Sequence, residues 1–382
     1  MKKEDIKIDF DNSILALSNS LLRHYGVETE YKSLPILDKE LAVGYQNVAF
    51  LILDCFGKNI LEYHLNPHDF LYMHRVADIS TVFPPTTAAA TITFHSGLPP
   101  IASGWIGWMN YFPQYGHIIE NFRNVDFYTG EELTTPHPAE TILKYKSIYE
   151  KITEQNPEVE YHQVFPAFVE GGAGTFDELC EGIKKAIQSS DKRKIISAYW
   201  TEPDHTMHYN GIHSTQAAVL IREINNRLEK MCADLHDTLV IISADHGGID
   251  VDDILMNEHQ DLFDTFRLPP TIESRCISFS IKDGCHDEFV HLFNKYYGEE
   301  FVLFTKEEFL QAHILGYGKQ HPLIDAMLGE YVAIATGTLS INYDSGKREK
   351  KLFKATHAGY TKEEMTVPLI LVKCKKIFDK NR

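Results

Sequence analysis

Four runs of apolar residues punctuate the chain, each nearly unbroken by polar positions. They are NVAFLIL (47–53), RKIISAYW (193–200), TLVIISA (238–244) and TVPLILVK (366–373). Runs this short, bounded by polar or turn-forming residues, predict strands buried on both faces. Between them the period changes. GKNILEYHL after the first run, and GIHSTQAAVLIREINNRLEKMCADL (211–235), space their apolar residues three and four apart, which predicts helices. Strand, helix and strand in repetition predict an α/β fold, a mainly parallel central sheet with helices on both faces. In such sheets binding sites gather beyond the carboxyl ends of the strands.

Residues 268–345 follow another rhythm. RCISFSI, HDEFVHLFNKYYG, EFVLFT, KEEFLQAHILG and EYVAIATGTLSINY alternate strand, helix, strand, helix, strand. This predicts a smaller α+β cap subdomain inserted into a core made of 1–267 together with 346–382. The insertion either helps to wall a pocket or serves packing alone. A length of 382 residues accommodates both parts. The opening MKKEDIKIDFDNSILALSNSLLRHYG mixes Asp, Asn and Ser among its apolar residues and reads as a helix, not as a signal peptide. No apolar run approaches the roughly 18 residues of a membrane span.

Composition narrows the partners. Apolar residues make up 43% and charged residues 24%, as in ordinary soluble globular chains. A net charge of −17 argues against a nucleic-acid polymer as partner. An acidic chain still binds a small anion when bound cations reverse the local field. The cysteines, Cys55, Cys180, Cys232, Cys276, Cys285 and Cys374, form no CxxC pair and read as reduced thiols of a cytoplasmic protein. Cys55, beside Asp54, is either a small buried hydrophobe or a nucleophile.

Candidate chemistry collects where the predicted strands end. Asp54 follows the first run directly. Asp204 and His208, in PDHTMH, are four apart and share one face of a helical turn. Asp245 and His246, in SADHGG, precede two glycines that let the chain turn out of the sheet. His357 sits among small residues in THAGY. Thr86 and Thr87 follow two prolines and precede a run of helix formers, so they open a helix whose free N–H groups favour a phosphate-like anion. Each piece has a plainer reading: aspartates at strand ends also cap turns, Thr also caps helices, and a lone His packs in many cores. Together, three Asp, three His and a hydroxyl meet the requirements of a two-cation centre that acts on phosphorus.

The chain resembles the alkaline phosphatase superfamily and, within it, the nucleotide pyrophosphatase/phosphodiesterase group. The likeness rests on spaced motifs from Asp54 to His357, with Thr87 standing ten residues before Gly97 in FPPTTAAATITFHSGLP. It implies Thr87 as the catalytic nucleophile, in preference to Thr86. It implies two Zn2+ ions, one held by Asp204, His208 and His357, the other by Asp54, Asp245 and His246 with Thr87. Mn2+ tolerates the same ligands. It also implies a small phosphate-ester substrate. Where that group carries an Asn that contacts phosphate, this chain has Trp108, with Asn110 close but out of register; both are candidate substrate contacts. Trp105, Trp108, Tyr111 and Phe112 either stack on a leaving group or pack in the core. Lys58 is a further candidate phosphate contact, or a helix-surface lysine. Within the superfamily a phosphomonoesterase, a phosphonate hydrolase or a phosphosugar mutase is the alternative, and a ligand-binding relative without turnover the non-enzymatic one. A sulfatase is disfavoured because neither C-x-P-x-R nor S-x-P-x-R occurs.

Overall fold

The four apolar runs become neighbours in one six-stranded sheet. Its order is Arg75–Ser80, Thr366–Cys374, Thr238–Ser243, Asn47–Leu53, Arg193–Trp200, Val159–Val164. The computed structural model describes residues 1–349 and 351–374; Lys350 and positions 375–382 of the segment expected in the core lie outside the described residues. Asn47–Leu53 runs parallel to both of its neighbours. Thr366–Cys374 is antiparallel to its neighbours on both sides. Every residue of Asn47–Leu53 and of Thr238–Ser243 is buried, as unbroken apolar runs require. Leu53 lies opposite Trp200, and Ile52 opposite Ser243, so three parallel strands end level at one edge.

The helix expected after the first strand forms as Lys58–His64 and the one expected over 211–235 starts four residues later, but of the opening 1–26 only the second half is α-helical, preceded by a short 3-10 turn at Lys3–Asp5. The longest, Thr215–Ala233, begins where the Ser214 side chain accepts from the Ala217 N–H. The N-terminal helix is Ile14–His24, capped by Ser13 in the same way. The helix Thr87–Ser96 ends at Gly97, whose φ of +71° suits glycine.

The insertion does not build its sheet alone. Phe266–Ile272, Cys276–Ile281, Phe301–Thr305 and Tyr331–Ala335 are joined by Met109–Phe112, His117–Glu120 and Val125–Asp126 into a seven-stranded sheet. The run read as one strand, EYVAIATGTLSINY, breaks into Tyr331–Ala335 and Leu339–Asn342, and the second half pairs with Asp252–Leu255. A Cβ on Gly337 would meet the Glu300 carboxylate at 1.9 Å, so the chain turns there tightly against another side chain. Within this second sheet the insertion's strands join the recruited ones through a single register pair, Ile272 opposite Met109. No helix among the described residues is long and apolar enough to cross a membrane.

Candidate active site

Three adjacent parallel strands deliver three aspartates to one edge. Asp54 follows Leu53, and its N–H donates to the Trp200 carbonyl at 3.0 Å. Asp204 opens the helix Asp204–Asn210, and His208 lies one turn further on with Nε2 2.9 Å from Asp204 Oδ2. Beyond Thr238–Ser243 the chain turns at Gly247. A Cβ there would lie 2.0 Å from the Glu363 carbonyl oxygen, so only glycine fits. That turn aims Asp245 and His246, both fully buried, at the same centre.

The side chains sort into two groups. Asp204, His208 and His357 form one; Asp54, Asp245 and His246 form the other. Within each group the ligand-type atoms lie within 4.8 Å of one another. His246 Nε2 is 3.4 Å from Asp54 Oδ1 and 3.5 Å from Asp245 Oδ2, and His357 Nε2 is 3.9 Å from Asp204 Oδ1. The groups touch: the His246 and His357 rings stack with centroids 3.8 Å apart.

Backbone carbonyls fix the imidazoles. Nδ1 of His208 lies 2.8 Å from the Ala355 oxygen, Nδ1 of His246 3.0 Å from that of Gly247, and Nδ1 of His357 3.0 Å from that of Pro85. A carbonyl only accepts, so each Nδ1 is the donor, and whenever the ring is neutral its lone pair sits on Nε2, facing the carboxylates. Asp54 Oδ1 and Asp245 Oδ2 are buried without a hydrogen-bond partner. Unsatisfied carboxylate oxygens beside oriented imidazole lone pairs are a donor set that fits divalent cations.

The buried groups also shift one another. Burial, then the carboxylates of Asp245 and Asp204, push Asp54 well above the usual carboxylate range. Burial resists ionisation of Asp204 too, but His208 and His357 outweigh it and hold this carboxyl low. Burial likewise opposes charge on His208, yet Asp204 raises it to about 9. His357, buried beside His246, is held well below the ordinary histidine value.

Thr87 is the first residue of its helix, and its hydroxyl lies 3.3 Å from His246 Nε2. Thr86 is the N-cap residue, but its side chain makes no cap bond and donates to Glu273 Oε1 at 2.6 Å. Both Thr line a cavity of about 1250 Å³ that also exposes Asp54, Asp204, His208 and His357.

The remaining candidates divide. Trp108 lines the cavity. Asn110 does not: it is fully buried, with its Oδ1 accepting from Asn121 at 2.6 Å. Strand alternation explains this, since neighbouring Met109 takes the cavity side and Asn110 the other. Trp105 and Phe112 belong to the core, Trp105 donating to the Leu143 carbonyl. Lys58 pairs with Asp78 at 2.9 Å on the helix surface. Burial, then the carboxylates of Asp204 and Asp54, push the Cys55 thiol well above its ordinary value, as for a small buried hydrophobe rather than an activated nucleophile. Two site residues had no signal in the sequence. The Tyr199 hydroxyl donates to Asp54 Oδ2, and Glu273 faces Thr86. Each lies in a stretch whose pattern announces only strand or turn.

A mainly parallel sheet with such a cluster at its strand ends defines the alkaline phosphatase-like class of α/β hydrolases. The sequence profile of the type I phosphodiesterase / nucleotide pyrophosphatase family matches residues 48–360. The chain belongs to that family and is a phosphoric ester hydrolase. No curated protein matches the sequence significantly. Among solved structures it is similar to murine ectonucleotide pyrophosphatase/phosphodiesterase 5, both as an inactive variant in complex with AMP (17% identity, TM-score 0.63) and in another structure of that protein (18%, 0.63). Each likeness covers 84% of this chain and 87% of the other. The human counterpart is similar at 17% identity and TM-score 0.63, over 85% and 87%.

Proposed function

We propose that this protein hydrolyses phosphate diesters or pyrophosphates through Thr87 as nucleophile, at a centre of two Zn2+ ions. The observation that carries the reading is the locking of His208, His246 and His357 by carbonyl oxygens, with every Nε2 turned toward the buried Asp54 and Asp245 or the half-buried Asp204. Asp204, His208 and His357 would hold one ion; Asp54, Asp245 and His246 would hold the other. When bound, such ions supply Lewis-acid stabilisation of charge on the attacking and leaving oxygens.

The chain's own residues do the rest. The Thr87 oxygen gives up its proton and bonds to phosphorus as the ester oxygen leaves; water then cleaves the phosphothreonine and restores the hydroxyl. The N-terminus of Thr87–Ser96 directs free N–H groups and the positive dipole end toward the phosphoryl group. The Pro85 carbonyl orients His357 from the residue pair just before Thr87, so the nucleophile turn and a ligand share one support. Tyr199, which burial and Asp54 keep a neutral phenol, holds Asp54 in place by donating to it. Trp108, Phe122, Tyr128 and Phe168 give the leaving group an aromatic wall. The AMP bound to the murine neighbour supports a nucleotide-type substrate. A cytoplasmic site of action is part of the proposal, supported by six free thiols.

The test is elemental analysis of the purified protein, with hydrolysis of bis-p-nitrophenyl phosphate and p-nitrophenyl phosphate before and after chelation. We expect two zinc ions per chain and diester hydrolysis that chelation abolishes and zinc restores. Monoester hydrolysis alone would move the function to a phosphatase on the same centre.

A further inference from the structure

Glu273 lies in the turn between Phe266–Ile272 and Cys276–Ile281 and lines the cavity that holds Thr87. One of its oxygens, Oε1, accepts twice: from the Thr86 hydroxyl at 2.6 Å and from the Trp108 N–H at 2.8 Å. The carboxylate is thus fixed one residue from the proposed nucleophile, between the nucleophile turn and the wall of the leaving-group pocket.

The turn that carries it is held with unusual force. Ile272 has a φ of +84°, a region β-branched residues rarely occupy. Strain of this kind persists only where surrounding structure enforces it, and it concentrates at functional sites. Gly107 presses against the same residue; a Cβ there would lie 2.6 Å from Ile272 Cγ2 and 2.8 Å from its carbonyl oxygen. On the other side Arg275 is fully buried and grips Glu364 through two bonds of 2.8 and 2.9 Å. Two residues apart, one side chain anchors the turn and the other faces the cavity.

Resting on the phosphodiesterase reading, we propose that Glu273 is a specificity-determining residue that selects singly charged phosphate diesters over doubly charged monoesters. An ionised carboxylate only accepts hydrogen bonds, so it offers nothing to a non-bridging phosphoryl oxygen. It repels negative charge, and the repulsion grows with the charge on the phosphoryl group. A monoester, with its second pKa at about 6, carries nearly two charges at pH 8, whereas a diester carries one.

The test uses full-length, zinc-loaded protein in a Thr87→Ala background, with affinities for p-nitrophenyl phosphate and bis-p-nitrophenyl phosphate measured by calorimetry at pH 8. Glutamine keeps an acceptor for Thr86 and Trp108 but loses the charge. Glu273→Gln is expected to raise the monoester-to-diester affinity ratio by about tenfold. Glu273→Asp, which keeps the charge, is expected to hold the ratio near that of the parent. Where the glutamine variant does not fold, Glu273→Ala provides the uncharged arm. A ratio that stays within about twofold in the uncharged variant, while protein with Thr87 intact hydrolyses diesters, overturns this inference alone. Protein with Thr87 intact that hydrolyses neither ester overturns the phosphodiesterase reading, and the inference with it.

Discussion

The Thr87 hydroxyl lies 3.3 Å from Nε2 of His246, whose own Nδ1 is tied to the Gly247 carbonyl. The neighbouring hydroxyl, on Thr86, points instead to Glu273. Two adjacent threonines, indistinguishable by type, are therefore separated by what they face. Replacing Thr87 by Ala is expected to lower kcat by at least about a thousandfold with zinc content unchanged. Thr86→Ala removes one donor to Glu273 and should cost about tenfold or less. Kinetics and elemental analysis of both variants decide it; the opposite ranking would make Thr86 the nucleophile.

Removal of metal should weaken the fold as well as the activity. Asp54 and Asp245 are buried with oxygens that lack hydrogen-bond partners. A ligand at a hundred times its dissociation constant stabilises the folded state by about 2.7 kcal/mol. Chelation is therefore expected to lower Tm by at least about 3 °C, with recovery on adding zinc. A Tm indifferent to chelator and zinc would count against a cation centre here.

Arg275 and Glu364 form a pair with both side chains fully buried. Glu364 also accepts from the Gly359 N–H and the Thr361 hydroxyl, and its carbonyl accepts from the Gly247 N–H. One ion pair thus braces the segment after His357 and the turn after His246. Breaking a buried pair from one side strands the other charge, so Glu364→Ala is expected to cost about 3–5 kcal/mol by urea unfolding. Activity should fall with it, since two ligand-bearing segments lose their support.

His95, on the cavity wall between the rings of Tyr149 and Phe165, gives a pH signature. Burial lowers its pKa to about 4. The folded state then stays unprotonated where the unfolded chain takes up a proton, so this contribution is complete above the unfolded value of about 6.5. It is lost as pH falls from there toward 4. Replacing His95 by Phe is expected to flatten the decline of the urea midpoint between pH 7 and pH 4.5. An unchanged slope would show that the acid sensitivity arises elsewhere.

The sequence by itself determined four of the six strands of the central sheet and the aspartates and histidines that gather at its edge. Unbroken apolar runs have no polar face to offer solvent, so 47–53, 193–200 and 238–244 were legible as buried strands. The residues just beyond them were legible as a site, because parallel strands carry their carboxyl ends to one edge. Asp204 and His208 were legible as a pair from helical spacing. Only the tertiary structure decided the rest. It recruited 109–126 into the second sheet, strands of two to four residues, too short for a periodic signal. It turned Asn110 away from the cavity, because strand alternation and not nearness in sequence sets direction. It brought Glu273 to Thr86 across 187 positions of chain, and Tyr199 to Asp54 across 145. The first contact depends on how the second sheet sits against the nucleophile helix, the second on which strands become neighbours within the central sheet, and no local pattern of apolar and polar residues encodes either.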